Sequence, residues 1–421
     1  MFKPIEDVLK PKFDGKKVAI RGWVYRKRSQ KKLIFLIIRD SSDIIQAVVK
    51  KGSKAWKAAQ KITIESSCEL KGTIKKDKRA PTGYELKVSD LKIIGLADTY
   101  PITRDKSAEF LRDVRHLWIR SRKITQILKV RSEVFKAIHD FYRKKDYTEF
   151  QSPIFTTCAC EGGSTLFPVK GFGEKVYLSQ SWQLYAEAGI QALEKIYTIT
   201  PAFRAEKSRT IRHLAEYWTA EAEATWMHYK DMLKQEEELI LHIVKHVLKT
   251  CKKELKELGR DIKELKKIRA PFKKITYKQA IKKLGKKWGH DLTDKEERKL
   301  AKEIGKPVFI THFPRKMKAF YMKSDPKDKK VVLAADLLLP GVGETIGGSE
   351  RIADVKELLK SIKMFGLKKK DYQWYIDLRK YGTVPHSGYG LGIERLVMWL
   401  TGAEHIMDTI PFPRTITRVR P

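Results

Sequence analysis

The chain has 421 residues, of which 42% are hydrophobic and 33% charged, and its formal net charge is +37 at pH 7. This composition predicts a soluble globular protein of two or three domains and favours a polyanionic partner such as nucleic acid. The longest apolar run near the N-terminus, Leu33–Ile38, is far shorter than the roughly 20 residues that a membrane-spanning helix needs, and the first residues lack a signal-peptide core. We therefore expect a cytoplasmic protein with no membrane segment.

Residues 1–97 predict a small β-barrel. Five segments have the alternating pattern of strands and are separated by polar turns; they are Val18–Tyr25, Leu33–Arg39, Ile44–Lys50, Ser67–Lys75 and Gly83–Ile94. Five strands in so short a stretch are typical of the OB fold, which often binds oligonucleotides. A basic run, Arg26-Lys27-Arg28 with Lys31 and Lys32, precedes the second strand, and we expect it to contact phosphate.

The remainder of the chain predicts a larger mixed domain. Residues 98–125 show little periodicity and are interpreted as a hinge, followed by a domain over residues 126–421. A helical pattern runs from Val130 to about Lys145. The segment from about 229 to 306 is rich in Lys and Glu with helical periodicity and predicts a helical insertion. Alternating apolar strands with Gly-rich turns then continue to the end of the chain.

The first segment with chemical character is Phe203-Arg204-Ala205-Glu206. A basic loop follows, and then come His213, Tyr217, Glu221 and Glu223, a pattern that suits two strands joined by that loop. An arginine beside a triphosphate can stabilise the charge that develops when a phosphorus atom is attacked. Taken alone, this short string is weak evidence.

A second segment lies far downstream and is rich in glycine. It reads Gly388-Tyr389-Gly390-Leu391-Gly392-Ile393-Glu394-Arg395 and leads into the apolar helix Leu396–Leu400. Glycines spaced by two suit close backbone packing beneath a ligand. The spacing differs from the dinucleotide-binding fingerprint, and the Lys-Ser/Thr pair of a phosphate-binding P-loop is missing.

Together with the helix after Val130, which ends at Glu149-Phe150-Gln151-Ser152-Pro153, these segments resemble the three signature motifs of class II aminoacyl-tRNA synthetases. The resemblance is to the aspartyl/asparaginyl/lysyl subgroup in its archaeal and eukaryotic style, and it covers nearly the whole chain. It implies an α+β protein with a five-stranded OB-type anticodon-binding barrel and a catalytic domain built on an antiparallel sheet flanked by helices. It also implies a homodimer formed through the first motif.

The resemblance implies an ATP site in the second and third motifs. Arg204 matches the catalytic arginine that binds the α-phosphate and the substrate carboxylate, and Glu206 matches the residue that reads the adenine amino group. His213 and Arg395 match groups that bind the γ-phosphate. Adenine would lie between Tyr217 and Arg395, an arrangement in which an aromatic ring and a guanidinium both stack on a purine.

The resemblance also implies a magnesium site. Asp336 and Glu344 match the acidic pair that holds Mg²⁺ on ATP, and carboxylate oxygens are the ligands that this ion prefers. Asp336 lies within the apolar strand VVLAADLLL, where an unpaired carboxylate would be costly. This cost independently favours a functional role for Asp336.

Two positions favour asparagine over aspartate as the substrate. Aspartyl enzymes have a lysine where Ala186 stands and an aspartate where Glu221 stands. A carboxylate at 221 can accept a hydrogen bond from the asparagine amide but would repel aspartate. Arg351 matches the contact to the shared side-chain oxygen, while Glu161 and Gln183 match groups that bind the substrate ammonium.

Two residues depart from the family pattern near this pocket. Glu350 stands where the family usually has glutamine, which changes the local charge. Trp182 replaces a residue that is usually small or proline, and the sequence offers no physical reason for the change.

The barrel carries the residues that the resemblance assigns to tRNA-Asn. Phe35 matches the residue that stacks on an anticodon base, and Gln46 matches the residue that reads the middle uridine. Stacking of this kind contributes roughly 1–3 kcal/mol per base. Arg28 lies in the adjacent basic run. The competing interpretation of Phe35 is a core residue, because it lies in the apolar run LIFLII.

The resemblance thus implies an enzyme that activates asparagine with ATP and transfers it to the 3′ end of tRNA-Asn. Three other functions agree with parts of the sequence. The first is an aspartyl-tRNA synthetase, discriminating or not, against which Ala186 and Glu221 argue. The second is an asparagine synthetase derived from the same catalytic domain; such proteins lack the anticodon barrel, which residues 1–97 provide here. The third is a non-catalytic RNA-binding or regulatory descendant, which would have lost residues such as Arg204 or Glu344.

Overall fold

The computed structural model describes residues 1–103, 105–160, 165–205 and 213–421. The chain divides into two compact units, Met1–Leu111 and Arg112–Pro421. Among the described helices, none is both long and apolar enough to cross a membrane.

The described residues of the first unit form a closed five-stranded barrel in the order β1-β2-β3-β5-β4. Strands β3 and β5 pair in parallel and the other neighbours are antiparallel. The OB-type barrel predicted from the sequence is confirmed. Its strands are β1 (Lys17–Ser29), β2 (Leu33–Arg39), β3 (Ile44–Lys50), β4 (Ser67–Lys76) and β5 (Tyr84–Gly95), and its helices are α1 (Ile5–Val8) and α2 (Trp56–Lys61).

Alternation along β2 explains which side chains fill the barrel. Ile34, Leu36 and Ile38 are buried in its core, whereas Phe35 is only half-buried, because successive side chains of a strand point to opposite faces. Gly22 lies at a close approach between the paired strands β1 and β2. A Cβ atom there would lie 2.2 Å from the carbonyl oxygen of Arg39, so any larger residue would push the strands apart.

The second unit is built on an eight-stranded sheet in the order β12-β13-β14-β15-β16-β11-β10-β6. The outer pairs β12/β13 and β10/β6 are parallel and the inner pairs are antiparallel. A small sheet in the order β7-β9-β8 lies in the same unit. The strands are β6 (Thr148–Glu149), β7 (Phe155–Thr156), β8 (Pro168–Val169), β9 (Val176–Leu178), β10 (Lys195–Phe203), β11 (Glu216–Thr225), β12 (Lys273–Thr276), β13 (Val308–Thr311), β14 (Ala334–Leu339), β15 (Gly343–Glu350) and β16 (His386–Gly392).

Helices α5, α7 and α14 pack against this sheet and share its main hydrophobic core. The expected α+β architecture is confirmed. The helices of the unit are α3 (Ala108–Asp113), which begins in the last residues of the first unit, α4 (Arg115–Trp118), α5 (Arg122–Lys144), α6 (Gln183–Leu193), α7 (Tyr229–Thr250), α8 (Lys252–Glu257), α9 (Ile262–Lys266), α10 (Tyr277–Lys283), α11 (Asp294–Ile304), α12 (Val355–Met364), α13 (Gln373–Lys380) and α14 (Ile393–Thr401).

Two segments differ from their sequence-based interpretation. Residues 98–125, expected to be a hinge, contain α3, α4 and the start of α5, which begins eight residues before Val130. The Ser121 hydroxyl caps α5 by accepting a hydrogen bond from the Ile124 N–H at 3.3 Å. The segment 229–306 is mostly helical, but α7 belongs to the main core and β12 extends the sheet. Its first helix therefore packs in the main core of the second unit.

Candidate active site

A cavity of about 610 Å³ lies within the second unit, against strands β11, β14, β15 and β16. All the described residues that the sequence assigned to ATP, magnesium or the amino acid line it. These residues are Gln183, Arg204, His213, Tyr217, Glu221, Asp336, Glu344, Arg351 and Arg395. Glu161 and Glu206, also predicted to belong to the site, lie outside the described residues.

The glycines of the third motif make room for two carboxylates on the neighbouring strand. On β11, Glu221 pairs with Gly390 of β16, and Glu223 pairs with Gly388. A Cβ atom at position 388 would lie 1.8 Å from Glu223 Oε2, and one at position 390 would lie 3.4 Å from Glu221 Cγ. Glycine is therefore required at 388, where Glu223 takes the space of a side chain, whereas the distance at 390 is an ordinary van der Waals contact.

One end of the cavity is basic and carries the residues predicted for the nucleotide. The Arg204 backbone N–H donates to the Ala215 carbonyl at 2.9 Å, which closes the base of the loop between β10 and β11. The Arg204 guanidinium lies 5.6 Å from the centre of the Tyr217 ring. Arg395 donates to the main-chain oxygen of Glu344 at 2.9 Å and to its carboxylate at 3.3 Å. Two cations from distant parts of the chain, Arg204 and Arg395, therefore line the same cavity.

The predicted metal ligands converge over Gly347. A Cβ atom there would lie 3.3 Å from Glu344 Oε1 and 3.6 Å from Asp336 Oδ1, so a larger residue would crowd the Glu344 carboxylate and only touch that of Asp336. Burial raises the pKa of Asp336 to about 7, an effect that Lys318 opposes and Glu344 strengthens. Lys318 Nζ donates to both Asp336 oxygens at 2.6 Å. The two carboxylates supply oxygen ligands, and the glycine beside them has no side chain to compete for the space. This arrangement fits a hard divalent cation.

The other end of the cavity is built around Glu221. Its buried carboxylate accepts hydrogen bonds from the Ser181 hydroxyl at 2.7 Å and from the Trp182 backbone N–H at 3.4 Å. Ser181 also accepts from the Gln183 N–H at 3.2 Å. These two donors mark Glu221 as a hydrogen-bond acceptor at the edge of the cavity.

Arg351 is fixed by a buried ion pair that the sequence did not reveal. Its Nε and Nη2 atoms donate to the two oxygens of Glu223, each at 2.9 Å, and its Nη1 donates to Ser349 Oγ at 2.7 Å. Burial alone would lower the pKa of Arg351, but Glu223 more than offsets this and raises it. Arg351 therefore remains cationic, and the two-point contact fixes the plane of its guanidinium.

A second buried network supports α6 beneath the amino-acid end. Glu187 accepts from Arg379, from Gln183 Nε2 at 3.0 Å and from Tyr375 at 2.7 Å, and His386 Nε2 lies 2.9 Å from it. Burial alone would raise the pKa of Glu187, but Arg379 and His386 lower it below its usual range. Its charged partners Arg379 and His386 lie far from it in the sequence, so no local spacing indicates this network.

The structure accounts for both departures from the family pattern. Glu350 accepts from Lys323 Nζ at 2.5 Å and from the Tyr229 N–H at 2.9 Å, so a lysine balances its charge. Trp182 is 1% exposed, and its indole Nε1 donates to the Phe150 carbonyl at 2.8 Å. It therefore joins the end of the first motif to the start of α6.

The barrel has a separate cavity of about 950 Å³ that includes the residues predicted for tRNA. Phe35 faces this cavity, with the Arg28 guanidinium 5.1 Å from its ring centre. Gln46 Nε2 donates to Glu85 Oε2 at 3.2 Å, a neighbour that the sequence did not single out. Lys27 instead donates to the carbonyls of residues 60 and 62, each at 2.7 Å, so this member of the basic run supports the barrel itself.

Comparison with known proteins agrees with this geometry. Residues 107–416 match the family of class II tRNA synthetases (D, K and N), and residues 18–94 match the OB-fold nucleic acid binding domain. The asparagine–tRNA ligase of Thermococcus kodakarensis is 49% identical, with 98% of this chain and 97% of the relative covered. That of Thermoplasma acidophilum is 46% identical, with 99% of each covered.

The chain belongs to the asparaginyl-tRNA synthetases.

Solved structures of this family are similar to the enzyme along its whole length. The asparaginyl-tRNA synthetase of Pyrococcus horikoshii complexed with asparaginyl-adenylate is 46% identical, with a TM-score of 0.96 and complete coverage of both chains. An aspartyl-tRNA synthetase from Entamoeba histolytica is 26% identical, with a TM-score of 0.87 over 100% of this chain and 93% of that one. The predicted asparagine–tRNA ligase is confirmed, and the fold it shares with aspartyl enzymes leaves substrate choice to the side chains.

Proposed function

We propose that the cavity of the second unit binds ATP at its basic end and asparagine at the Glu221 end, and that the enzyme joins them as asparaginyl-adenylate. The observation that carries this proposal is the convergence of Arg204, Asp336, Glu221 and Arg351 on one cavity. The similarity to a Pyrococcus horikoshii enzyme complexed with asparaginyl-adenylate supports it.

In the first step, a carboxylate oxygen of asparagine attacks the α-phosphorus of ATP. A new P–O bond forms, the bond to the bridging oxygen breaks, and pyrophosphate leaves. Arg204 stabilises the charge that develops on the α-phosphate, while His213 and Arg395 bind the γ-phosphate. Tyr217 and Arg395 enclose the adenine. None of these side chains forms a covalent bond, so catalysis consists of positioning and charge stabilisation.

Asp336 and Glu344 are the residues that would hold Mg²⁺. When bound, this ion neutralises phosphate charge and helps to orient the leaving pyrophosphate. Lys318 already balances Asp336, and Arg395 contacts Glu344. Both carboxylates therefore lie beside cationic side chains that are also suited to contact the phosphates of ATP.

Asparagine is recognised through its side-chain amide. Glu221 accepts a hydrogen bond from the amide NH₂, and Arg351 donates to the amide oxygen. Gln183 contacts the ammonium group, together with Glu161. Glu221 accepts from Ser181 and from the Trp182 N–H, and its carboxylate would repel the side-chain carboxylate of an aspartate in the same place.

In the second step, the 3′-hydroxyl of the terminal ribose of tRNA-Asn attacks the activated carbonyl carbon, and AMP leaves. The barrel binds the anticodon of the same tRNA. Phe35 stacks on one base, Gln46 reads another and Arg28 contacts the backbone. The half-buried position of Phe35 on the cavity side of β2 supports this role over that of a core residue.

The enzyme acts in the cytoplasm as a homodimer formed through the first motif. Ile154 and Phe155, which directly follow that motif, are large apolar residues that are 40% and 50% exposed. Phe172 is also 49% exposed and lies 5.1 Å from Phe155, ring centre to ring centre. A contiguous apolar surface of this kind is suited to burial against a second copy.

Replacement of Arg204 tests the catalytic assignment. Arg204→Ala should lower asparagine-dependent ATP–pyrophosphate exchange by ~10²-fold or more, as expected when a transition-state donor is lost. The matched control is Arg269→Ala, because Arg269 is exposed on the same unit. Exchange near the wild-type rate in the Arg204 variant would show that the motif has been misassigned.

A further inference from the structure

Trp182 lies at the junction between the amino-acid end of the cavity and the hydrophobic core. Its backbone N–H contacts Glu221, and the preceding residue, Ser181, donates to the same carboxylate. Its indole is almost completely buried, with Nε1 hydrogen-bonded to the Phe150 carbonyl. The backbone of Trp182 therefore contacts the proposed asparagine site, while its indole packs in the hydrophobic core.

The indole packs in one small cluster with Ala186, Ile190 and Ile196. Residues 182, 186 and 190 are spaced by four, so they lie on one face at the start of α6. Ala186 is fully buried and Phe150 packs against the same cluster. The side chain at position 186 thus faces a packed cluster in which Trp182 is the largest residue.

A long side chain at position 186 would extend into this cluster. Adding methylene groups to a packed core forces shifts of its neighbours. A buried ammonium would also need an acceptor within reach, and Glu221 beside Trp182 is a nearby carboxylate. Access of a cation from position 186 to Glu221 therefore depends on how much space residue 182 occupies.

We propose that Trp182 is a specificity-determining residue, whose indole occupies the space through which a cationic side chain at position 186 would reach the amino-acid end of the cavity. This inference rests on the proposed recognition of asparagine by Glu221. Trp182 excludes from the amino-acid end of the cavity a cation that would favour the binding of aspartate. Selectivity against aspartate then depends on Trp182 and Ala186 together, in addition to the charge of Glu221.

A double-mutant cycle tests this coupling. Wild type, Trp182→Ala, Ala186→Lys and the double variant are compared by kcat/KM for ATP–pyrophosphate exchange with asparagine and with aspartate. Alanine at 182 keeps the backbone N–H that contacts Glu221. Ala186→Lys alone should impair asparagine exchange without supporting aspartate. In the double variant, the aspartate-to-asparagine ratio should rise about 10-fold or more above either single variant.

An uncharged pair of variants keeps the test decisive if a buried lysine prevents folding. Ala186→Met should lower the midpoint of thermal unfolding in the wild-type background, because the space is filled, and lower it less in the Trp182→Ala background. Equal effects of the Ala186→Met substitution in both backgrounds would overturn the proposal. So would a folded Ala186→Lys single variant that uses aspartate as well as the double variant does. A wild type without asparagine exchange would instead refute the proposed function.

Discussion

Replacement of Glu221 by glutamine changes the charge of the amino-acid end while keeping its shape. In the wild type, the carboxylate accepts from Ser181 at 2.7 Å and from the Trp182 N–H at 3.4 Å, and in the proposed function it also accepts from the asparagine amide. A glutamine has one acceptor oxygen and one donor NH₂. Whichever way it turns, the NH₂ meets either a protein donor or the substrate NH₂.

The loss can be estimated from these contacts. A hydrogen bond to a charged group contributes about 1.5–3 kcal/mol, which corresponds to a decrease of roughly 10- to 100-fold in kcat/KM for asparagine. The measurement is ATP–pyrophosphate exchange with asparagine and aspartate, alongside thermal unfolding to confirm that the variant is folded. Aspartate exchange should not decrease, since the like charge has been removed. A folded variant with unchanged asparagine kinetics would refute the role of Glu221.

Three further predictions concern the tRNA site, the buried network and the metal ligands. Phe35→Ala should raise the KM for tRNA-Asn while tRNA-independent exchange stays near wild type; equal damage to both would identify Phe35 as a structural residue. Arg379→Met leaves Glu187 in a fully buried site without its main cation, so the free energy of unfolding measured with urea should fall by about 3–5 kcal/mol. Because the pKa of Glu187 is lowered, its ion pair stabilises the wild-type fold above the ordinary carboxyl pKa, and this stabilisation is lost only as the pH falls through the lowered value. Loss of the stabilisation at neutral pH would contradict the assignment of this ion pair. Asp336→Asn should raise the Mg²⁺ concentration needed for half-maximal exchange, and an unchanged requirement would exclude Asp336 as a ligand.

Local patterns allowed much of the fold to be predicted. Strands β2 and β3 have the bounds expected from the alternation of apolar and polar residues, because one face of each fills the barrel. The glycines at 388 and 390 indicated close packing, although only the register of β16 on β11 shows that Glu223 and Glu221 are what they accommodate. The start of α5 was missed because its first turn is basic, and the cap at Ser121 is a weak local signal.

What the sequence did not reveal depends on contacts between distant segments. Glu187 is satisfied by Arg379 and His386, which follow it by 192 and 199 residues, and no spacing rule connects them. The pairing of Arg351 with Glu223 is of the same kind. Trp182 had no explanation until the structure placed its indole beside Ala186 and the Phe150 carbonyl. Contacts between distant segments of the folded chain decide which charged and aromatic side chains are buried, so local sequence patterns do not indicate them.

The most direct test of the account is ATP–pyrophosphate exchange by the unaltered enzyme with each of the twenty amino acids in turn. Charge at Glu221 and the absence of a cation at position 186 predict strong exchange with asparagine. They also predict at least ~10³-fold weaker exchange with aspartate, because a like charge in a closed site costs several kcal/mol. Exchange with aspartate equal to or stronger than that with asparagine would contradict the assignment of the amino-acid site.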